Sequence, residues 1–191
     1  MQLLSPRAQF DLAVRLREGH AAPIGDIFQF LSGLYFRGKL AYARAFAAPP
    51  PELPSGVFVI TTGAGLVDAD TPVTGDAIRS FAGVDISASN AAYRNPLERT
   101  ARSILEEGGG DMEVVLLGSI ASGKYADVLG PIFGERLLFP PAFVGRGDMS
   151  RGGLMLRAAA AGQELEYVPV AGAVRRGARP PKLTPLGGKK R

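Results

Sequence analysis

Apolar and polar residues along this chain are spaced in a pattern that predicts helices separated by short strands. Two early segments show the 3.6-residue spacing of amphipathic helices, residues 6–18 and residues 25–47, with interruptions expected at Gly33 and Gly38. Further helices are predicted at residues 75–81, 91–107, from Lys124 onward, and 153–161. A continuous apolar run predicts a buried strand at residues 57–61, and further strands are predicted at residues 113–118, 135–139 and 164–170.

This alternation of strands and helices is typical of the α/β class. We therefore predict a three-layer α/β fold in which helices flank a parallel or mixed sheet. Residues 1–171 form the single α/β domain, and residues 172–191 form a flexible, basic tail rich in proline and glycine. Ligands bind such folds beyond the carboxyl ends of the strands, so the loops that follow the strands are candidate sites.

The first of these loops follows the strand at residues 57–61. Its candidate ligand-binding residues are Thr61, Thr62, Gly63 and Gly65. The two hydroxyl groups could hydrogen-bond a base or a sugar. The same residues also suit an ordinary tight turn, so both interpretations stay open.

The second loop follows the strand at residues 113–118 and leads into a helix. Its candidate ligand-binding residues are Gly118, Ser119, Ser122, Gly123, Lys124 and Tyr125. Backbone N–H groups, a helix N-terminus and one ammonium group could converge there on a phosphate or carboxylate. The spacing matches the Gly-x-x-x-x-Gly-Lys part of the nucleoside-triphosphate loop. Tyr125, however, stands where the motif has a serine or threonine that ligates magnesium. Its presence favours phosphate binding over hydrolysis.

A third loop, residues 145–153, combines two guanidinium groups with one carboxylate. Arg146 and Gly147 are candidate ligand-binding residues, because arginine pairs well with phosphate and glycine lets a ligand approach the backbone. Asp148 is the candidate general base, and Arg151 could orient it. Alternatively, Arg146, Asp148 and Arg151 pair with one another and only order the loop.

Aromatic and basic residues also lie together in the second predicted helix. Tyr35, Lys39 and Tyr42 share one helical side, and Arg37 lies on the other. Tyrosine rings can stack on bases while basic groups hold phosphates, so Tyr35, Arg37 and Lys39 are candidate nucleic-acid contacts. Packing of the same helix through its apolar residues is the alternative, and both can hold at once.

Charge is distributed unevenly along the chain. Seven of the 22 basic residues and none of the 18 acidic ones lie in residues 172–191, so residues 1–171 carry 15 basic against 18 acidic groups. Arg175 and Arg176 begin this basic segment and are further candidate nucleic-acid contacts. A purely solubilising role for the tail is the alternative interpretation.

Composition excludes several kinds of site. The chain has no cysteine and a single histidine, His20, which excludes thiolate and histidine-rich metal sites as well as cysteine nucleophiles. We therefore predict no metal and no cofactor. No apolar run approaches the length of a membrane span, and the first residues lack the pattern of a secretory signal. A cytoplasmic protein without a membrane partner is expected.

The order of several short segments resembles a known group of proteins. The segments are Leu34-Tyr35 with Arg37 and Tyr42-Ala43, Val59-Ile60-Thr61 with Gly65-Leu66, Leu116-Leu117-Gly118 with Lys124-Tyr125 and Leu129, and Gly145-Arg146-Gly147. Across residues 30–160 this progression resembles uncharacterised bacterial proteins of the uracil-DNA-glycosylase-like superfamily. The resemblance implies a three-layer α/β fold whose strand-end loops grip a base or nucleotide. Members that excise uracil carry an acidic residue or asparagine in the first strand-end loop, and many carry a late histidine. Neither is present here, so the resemblance extends to the fold and the pocket.

Together these features predict a protein that binds a nucleotide, a nucleobase or nucleic acid at its strand-end loops. It could be a glycosidase-like, base-processing enzyme. The alternative is a non-enzymatic interaction module that docks on nucleic acid or an acidic partner through its basic tail. A third interpretation is a nucleoside-triphosphate-binding protein that uses the loop from Gly118 to Lys124.

Overall fold

A computed structural model of the chain describes Leu3 and residues 5–183, and these residues form a mixed α/β structure. Its helices are α1 Asp11–Arg17, α2 Ile24–Phe46, α3 Gly75–Phe81, α4 Ala91–Gly108, α5 Ala126–Phe133 and α6 Asp148–Ala161. Its strands are β1 Ala22–Pro23, β2 Phe58–Ile60, β3 Leu66–Asp68, β4 Pro72–Val73, β5 Val114–Val115, β6 Leu137–Phe139 and β7 Val168–Pro169.

The strands form small separate sheets. The described residues therefore do not form the predicted three-layer fold, in which helices flank one sheet. β1 pairs with β4 and β2 pairs with β3, both antiparallel, while β5, β6 and β7 form one mixed sheet. In that mixed sheet β5 and β6 are parallel. The difference arises at the first predicted strand, which returns through a short turn as a hairpin. A parallel neighbour would need a crossover of a dozen or more residues.

Several helix boundaries agree with the pattern of residues, and one differs in a way that affects the site. The interruption expected in the second helix is confirmed at Gly33, whose φ of 60° and ψ of −142° are not helical. α4 ends where the glycine run begins, with Gly109 at a φ of 81°. α6, by contrast, begins at Asp148, five residues before the expected start, because Gly147 is extended and acts as its N-cap. Asp148 and Arg151 therefore lie in the first turn of a helix.

The largest buried cluster packs α4 and α5 against the mixed sheet. Fully buried members include Leu97, Leu129, Phe133 and Leu137. A second group of buried side chains, including Tyr42, Phe143 and Met155, joins α2 to α6. The site described below lies where the N-terminal end of α6 meets both α2 and the loop before α5.

Residues 172–183 have no regular secondary structure, but several of them contact the domain. The Arg146 guanidinium donates a hydrogen bond to the carbonyl oxygen of Pro181, at 3.2 Å. Ala178 lies so close to Gly145 that a side chain at Gly145 would collide with the Ala178 carbonyl oxygen. This half of the predicted tail therefore lies along the third loop. Its last basic residues, Lys189, Lys190 and Arg191, lie outside the described residues.

Among the described residues, no helix combines the length and the apolar character needed to cross a membrane.

Candidate functional site

The site depends on an unusually close approach of α2 and α6. A β-carbon on Gly38 would lie 2.5 Å from the carbonyl oxygen of Gly152, and one on Gly152 would lie 2.8 Å from Cα of Tyr35. Only glycine at both positions allows backbones to come this near. The contact places the side chains of Tyr35 and Lys39 beside the first turn of α6.

Four charged side chains from three parts of the chain converge there. Lys39 on α2 lies within electrostatic range of Asp148 and Arg151 on α6 and of Lys124 in the loop before α5. Its ammonium lies 4.2 Å from the centre of the Tyr35 ring, a cation–π contact. Lys39 thus lies among two other cations and one carboxylate, and the four groups together carry a net positive charge. We call Tyr35, Lys39, Lys124, Asp148 and Arg151 the basic cluster.

The environment of Lys39 changes its acidity. Burial lowers the pKa of Lys39 to about 8, Asp148 opposes that change, and Arg151 and Lys124 add to it. A lowered pKa means that the folded protein releases this proton at a pH where the unfolded chain still holds it. The charged form of Lys39 therefore destabilises the fold at neutral pH.

Replacing Lys39 with methionine is expected to stabilise the protein at pH 7 by about 1 to 3 kcal/mol, because it removes a desolvated charge while keeping a similar volume. The wild-type free energy of unfolding should rise between pH 8 and the ordinary lysine value of 10.5, where only the unfolded chain keeps the proton. The variant should lack that rise. Urea denaturation at several pH values measures both, with exposed Lys182→Met as the control. Equal stability of the two variants at pH 7 would contradict the buried charge.

Tyr35 lies in the same cluster, and its hydroxyl group is buried. Within the described part of the chain this oxygen has no hydrogen-bond partner of good geometry. Burial raises the pKa of Tyr35, and the neighbouring Arg151 guanidinium offsets part of that rise. The hydroxyl therefore stays protonated and is available as a donor to a ligand.

Arg151 joins the basic cluster to a small cleft on its other side. Its side chain is 11% exposed, its Nε donates to the carbonyl oxygen of Phe143 at 3.2 Å, and its guanidinium lies 6.0 Å from the Phe143 ring. A guanidinium N–H faces the Asp148 carboxylate at 3.5 Å. The cleft is lined by the loop from Gly118 to Ala121, by Phe139, Phe143 and Val144, and by the two guanidiniums of Arg151 and Arg175. It encloses about 10 Å³, room for a single water molecule.

The second predicted loop thus lies beside the third predicted loop, because residues of both line the cleft. Buried Tyr93 on α4 fixes the loop, because its hydroxyl donates to the carbonyl oxygen of Lys124 at 3.1 Å. The Lys124 ammonium lies 5.0 Å from the centre of the Tyr125 ring, and that ring packs on Gly118. Ser119 accepts a hydrogen bond from the N–H of Ala121 at 3.3 Å, and Ser122 is exposed.

The N-terminus of α5 is not free to bind a phosphate. The carboxylate of Asp127 lies over Gly123, in the space that a side chain at Gly123 would occupy. Arg175 donates to the same carboxylate at 3.0 Å. The Asp127 carboxylate therefore occupies the position where a triphosphate loop would hold a phosphate. Its hydrogen bond with Arg175 links it to the C-terminal segment.

The first predicted loop has contacts of a different kind. Buried Thr61 donates its hydroxyl to the carbonyl oxygen of Gly65 at 2.9 Å, and the Thr62 hydroxyl donates to the carbonyl oxygen of Phe81. Gly65 has a φ of 74° and packs on Pro96 and Thr100 of α4, while Gly63 lies near Phe81 and Val84. The Thr61 hydroxyl is thus used within the hairpin turn, and the Thr62 hydroxyl ties that turn to α3.

The remaining predicted residues are divided between structure and surface. The Arg146 guanidinium donates to the carbonyl oxygens of Ala142 and Pro181 and to the Ser150 hydroxyl, so it ties the third loop to the C-terminal segment. Gly147 is the exposed N-cap of α6. Arg37 and Arg176 are exposed. Arg175 is exposed too, but it lines the cleft beside Arg151.

Sequence reasoning missed four residues that build the site. They are Tyr93, Asp127, Phe143 and Gly152, which respectively anchor Lys124, pair with Arg175, support Arg151 and allow α6 to approach α2. Asp127 was detectable, since acidic residues favour the first turn of a helix. The other three act through contacts between distant segments, which no local pattern reveals.

This arrangement can hold an anion. Lys39 lies within electrostatic range of two further cations and of only one carboxylate, and the Tyr35 hydroxyl adds a neutral donor. No group of three or more histidine, cysteine, aspartate or glutamate side chains suited to a metal ion occurs among the residues that the structure describes.

No family model, curated protein or solved structure matches this chain.

Proposed function

We propose that this protein binds the phosphate of a nucleotide or of a nucleic-acid backbone at the basic cluster. The observation that supports the proposal is that Lys39 lies within electrostatic range of two cations from other parts of the chain, Lys124 and Arg151, and of a single carboxylate. Like charges repel, so an arrangement of three cations against one carboxylate is more favourable with a bound anion than without one.

Two aromatic rings make a nucleotide or nucleic-acid ligand more suitable than a bare anion. Tyr35 and Tyr125 lie directly against the cationic groups of Lys39 and Lys124. Proteins that bind single-stranded nucleic acids combine cations, which hold the phosphates, with aromatic rings, on which the bases stack. Arg37 and Arg176 are exposed and stay candidate nucleic-acid contacts.

We propose binding only, without removal of a base. A flipped base needs an enclosed pocket, and the cleft beside Arg151 has room for one water molecule only. Asp148 stays the candidate general base in the event that a ligand opens this cleft. A nucleoside triphosphate held by the loop from Gly118 to Lys124 is less favoured, because the Asp127 carboxylate already lies over Gly123.

Binding of a fluorescent single-stranded oligonucleotide to the full chain tests the proposal. Lys124→Gln is expected to weaken binding several-fold and to lower the slope of log affinity against log salt by about 0.7, the value for one phosphate contact on a single strand. The exposed Arg102→Gln on α4 removes the same charge away from the cluster and should leave both unchanged. A nucleoside monophosphate should compete with the oligonucleotide.

The alternative of a tail-dependent interaction module gives the opposite result. If neutralising Lys189, Lys190 and Arg191 abolished binding while Lys124→Gln had no effect, the tail would be the binding element and the proposal would be wrong. Truncation near Val170 does not make this distinction, because it also removes Arg175 from the cleft.

A further inference from the structure

Residues 174–183, which we call the strap, lie against the cleft beside Arg151. They have no regular secondary structure, and most of them are exposed. A β-carbon on Gly177 in the strap would lie 2.8 Å from Cγ1 of Val144, and Val144 lines the cleft. Arg175, also in the strap, lines the same cleft. The strap therefore closes one side of the cleft.

The contacts that hold the strap on the domain are open to water. Arg175 donates to the Asp127 carboxylate at 3.0 Å, but the two side chains are 47% and 52% exposed. An exposed ion pair of this kind stabilises a structure only weakly. The hydrogen bond from Arg146 to the carbonyl oxygen of Pro181 is exposed as well. Ala173, in contrast, packs against the core, so the strap is fixed at its beginning and lightly held beyond it.

Charge attracts the strap to the rest of the domain. The strap has no acidic residue, and its basic residues are Arg175, Arg176, Arg179 and Lys182. Residues 1–171 carry 15 basic and 18 acidic groups, so the domain has the opposite net charge. A nucleic acid presents a much denser row of negative charges than the domain does. It therefore competes for the same guanidinium groups and weakens the attachment of the strap.

We propose that the strap is a displaceable lid on the cleft, and that the phosphates of a nucleic acid open it by taking Arg175 from Asp127. This inference rests on the proposed phosphate site and adds a regulatory step to it. In the closed state, which the structure shows, Arg175 bonds to Asp127 and the cleft encloses about 10 Å³. In the open state Arg175 bonds to a phosphate, the strap leaves Val144, and the cleft gains room. Arg151 stays in place, because Phe143 holds it.

A variant that disfavours the closed state should bind nucleic acid more tightly, since the ligand no longer has to displace the strap. Gly177→Ala pushes the strap away from Val144 without changing any charge. It should raise the affinity for a fluorescent single-stranded oligodeoxythymidylate by about three- to fivefold. Gly83→Ala is the control, because its β-carbon would meet no other part of the described chain within 4 Å. Its affinity should equal that of the wild type.

Movement of the strap can be measured directly with paired spin labels, because the chain has no cysteine that would compete for the label. Labels on Ala178→Cys in the strap and Arg102→Cys on α4 should give a narrow distance distribution in double electron–electron resonance. Adding the oligodeoxythymidylate should shift and broaden that distribution. The uncharged methylphosphonate oligomer of the same sequence should leave it unchanged. A control pair on Arg102 and Gln163, both outside the strap, should keep its distance with either oligomer.

The outcomes separate the two proposals. If Lys124→Gln weakens binding but the strap distance stays unchanged, or Gly177→Ala gains no affinity, the lid is overturned and the phosphate site stands. If the strap moves and Gly177→Ala binds more tightly, but Lys124→Gln binds as tightly as the wild type, the phosphate site is overturned and the lid stands. Binding to neither the wild type nor Gly177→Ala overturns both. A strap that moves, together with both expected changes in affinity, supports both.

Discussion

Replacing Arg151 with glutamine is expected to weaken the binding of a nucleoside monophosphate by about 10- to 100-fold, the largest loss of any single change in the basic cluster. Arg151 is the best-ordered cation there, because Phe143 holds it through both its carbonyl oxygen and its ring. A charge-assisted hydrogen bond to a phosphate is worth about 1.5 to 3 kcal/mol. Isothermal titration calorimetry at constant ionic strength measures the loss.

Arg146→Gln is the matched control for Arg151. Both arginines belong to the same stretch of chain and donate to backbone carbonyl groups, but the Arg146 guanidinium is directed to Ala142, Ser150 and Pro181. The control should retain affinity within about twofold while losing some thermal stability. If the two variants lost affinity equally, the loss would reflect general disruption of the loop, and the assignment of Arg151 to the site would be wrong.

The second large effect concerns the contact between the two helices that form the site. Gly38→Ala is expected to destabilise the protein by about 3 kcal/mol, since its β-carbon would lie 2.5 Å from the Gly152 carbonyl oxygen and 2.8 Å from its Cα. Both are backbone atoms, so relief requires the helices to separate. Separation would also move Tyr35 and Lys39 away from α6, so phosphate affinity should fall together with stability.

Gly153→Ala is the appropriate comparison, because it introduces the same methyl group on the next residue of α6. The nearest atom there is Cδ1 of Leu183, at an ordinary 3.5 Å, and alanine favours the helix over glycine. Urea denaturation should show this variant to be as stable as the wild type or slightly more stable. A Gly38→Ala protein as stable as Gly153→Ala would contradict the close crossing of α2 and α6.

Local signals in the sequence were sufficient to predict the structure where a single residue determines the backbone conformation. The break at Gly33 and the end of α4 at the glycine run were both predictable, since glycine is the residue that permits these conformations. The short helix α3 was predicted with its bounds, and Thr74 caps it. The mixed α/β class also followed from the alternation of patterns.

Predictions were less successful where a distant partner determines the structure. Residues 57–61 are apolar enough for a central strand, but the chain returns at Gly65, which packs on α4, and the strand joins a hairpin instead. The start of α6 was missed, because Gly147 and Asp148 were interpreted as loop residues. Of the candidate site, Lys39, Lys124, Asp148 and Arg151 were named from the sequence, but their meeting depends on the contact between Gly38 and Gly152.

The most direct test of the phosphate site is the change in backbone amide NMR shifts when a nucleoside monophosphate is added to the full chain. The proposed site requires the largest changes at Ser119–Ala121, at Lys124 and Tyr125, at the first turn of α6, and around Lys39. Changes confined to residues 172–191, or centred on the turn at Thr61–Gly65, would contradict it.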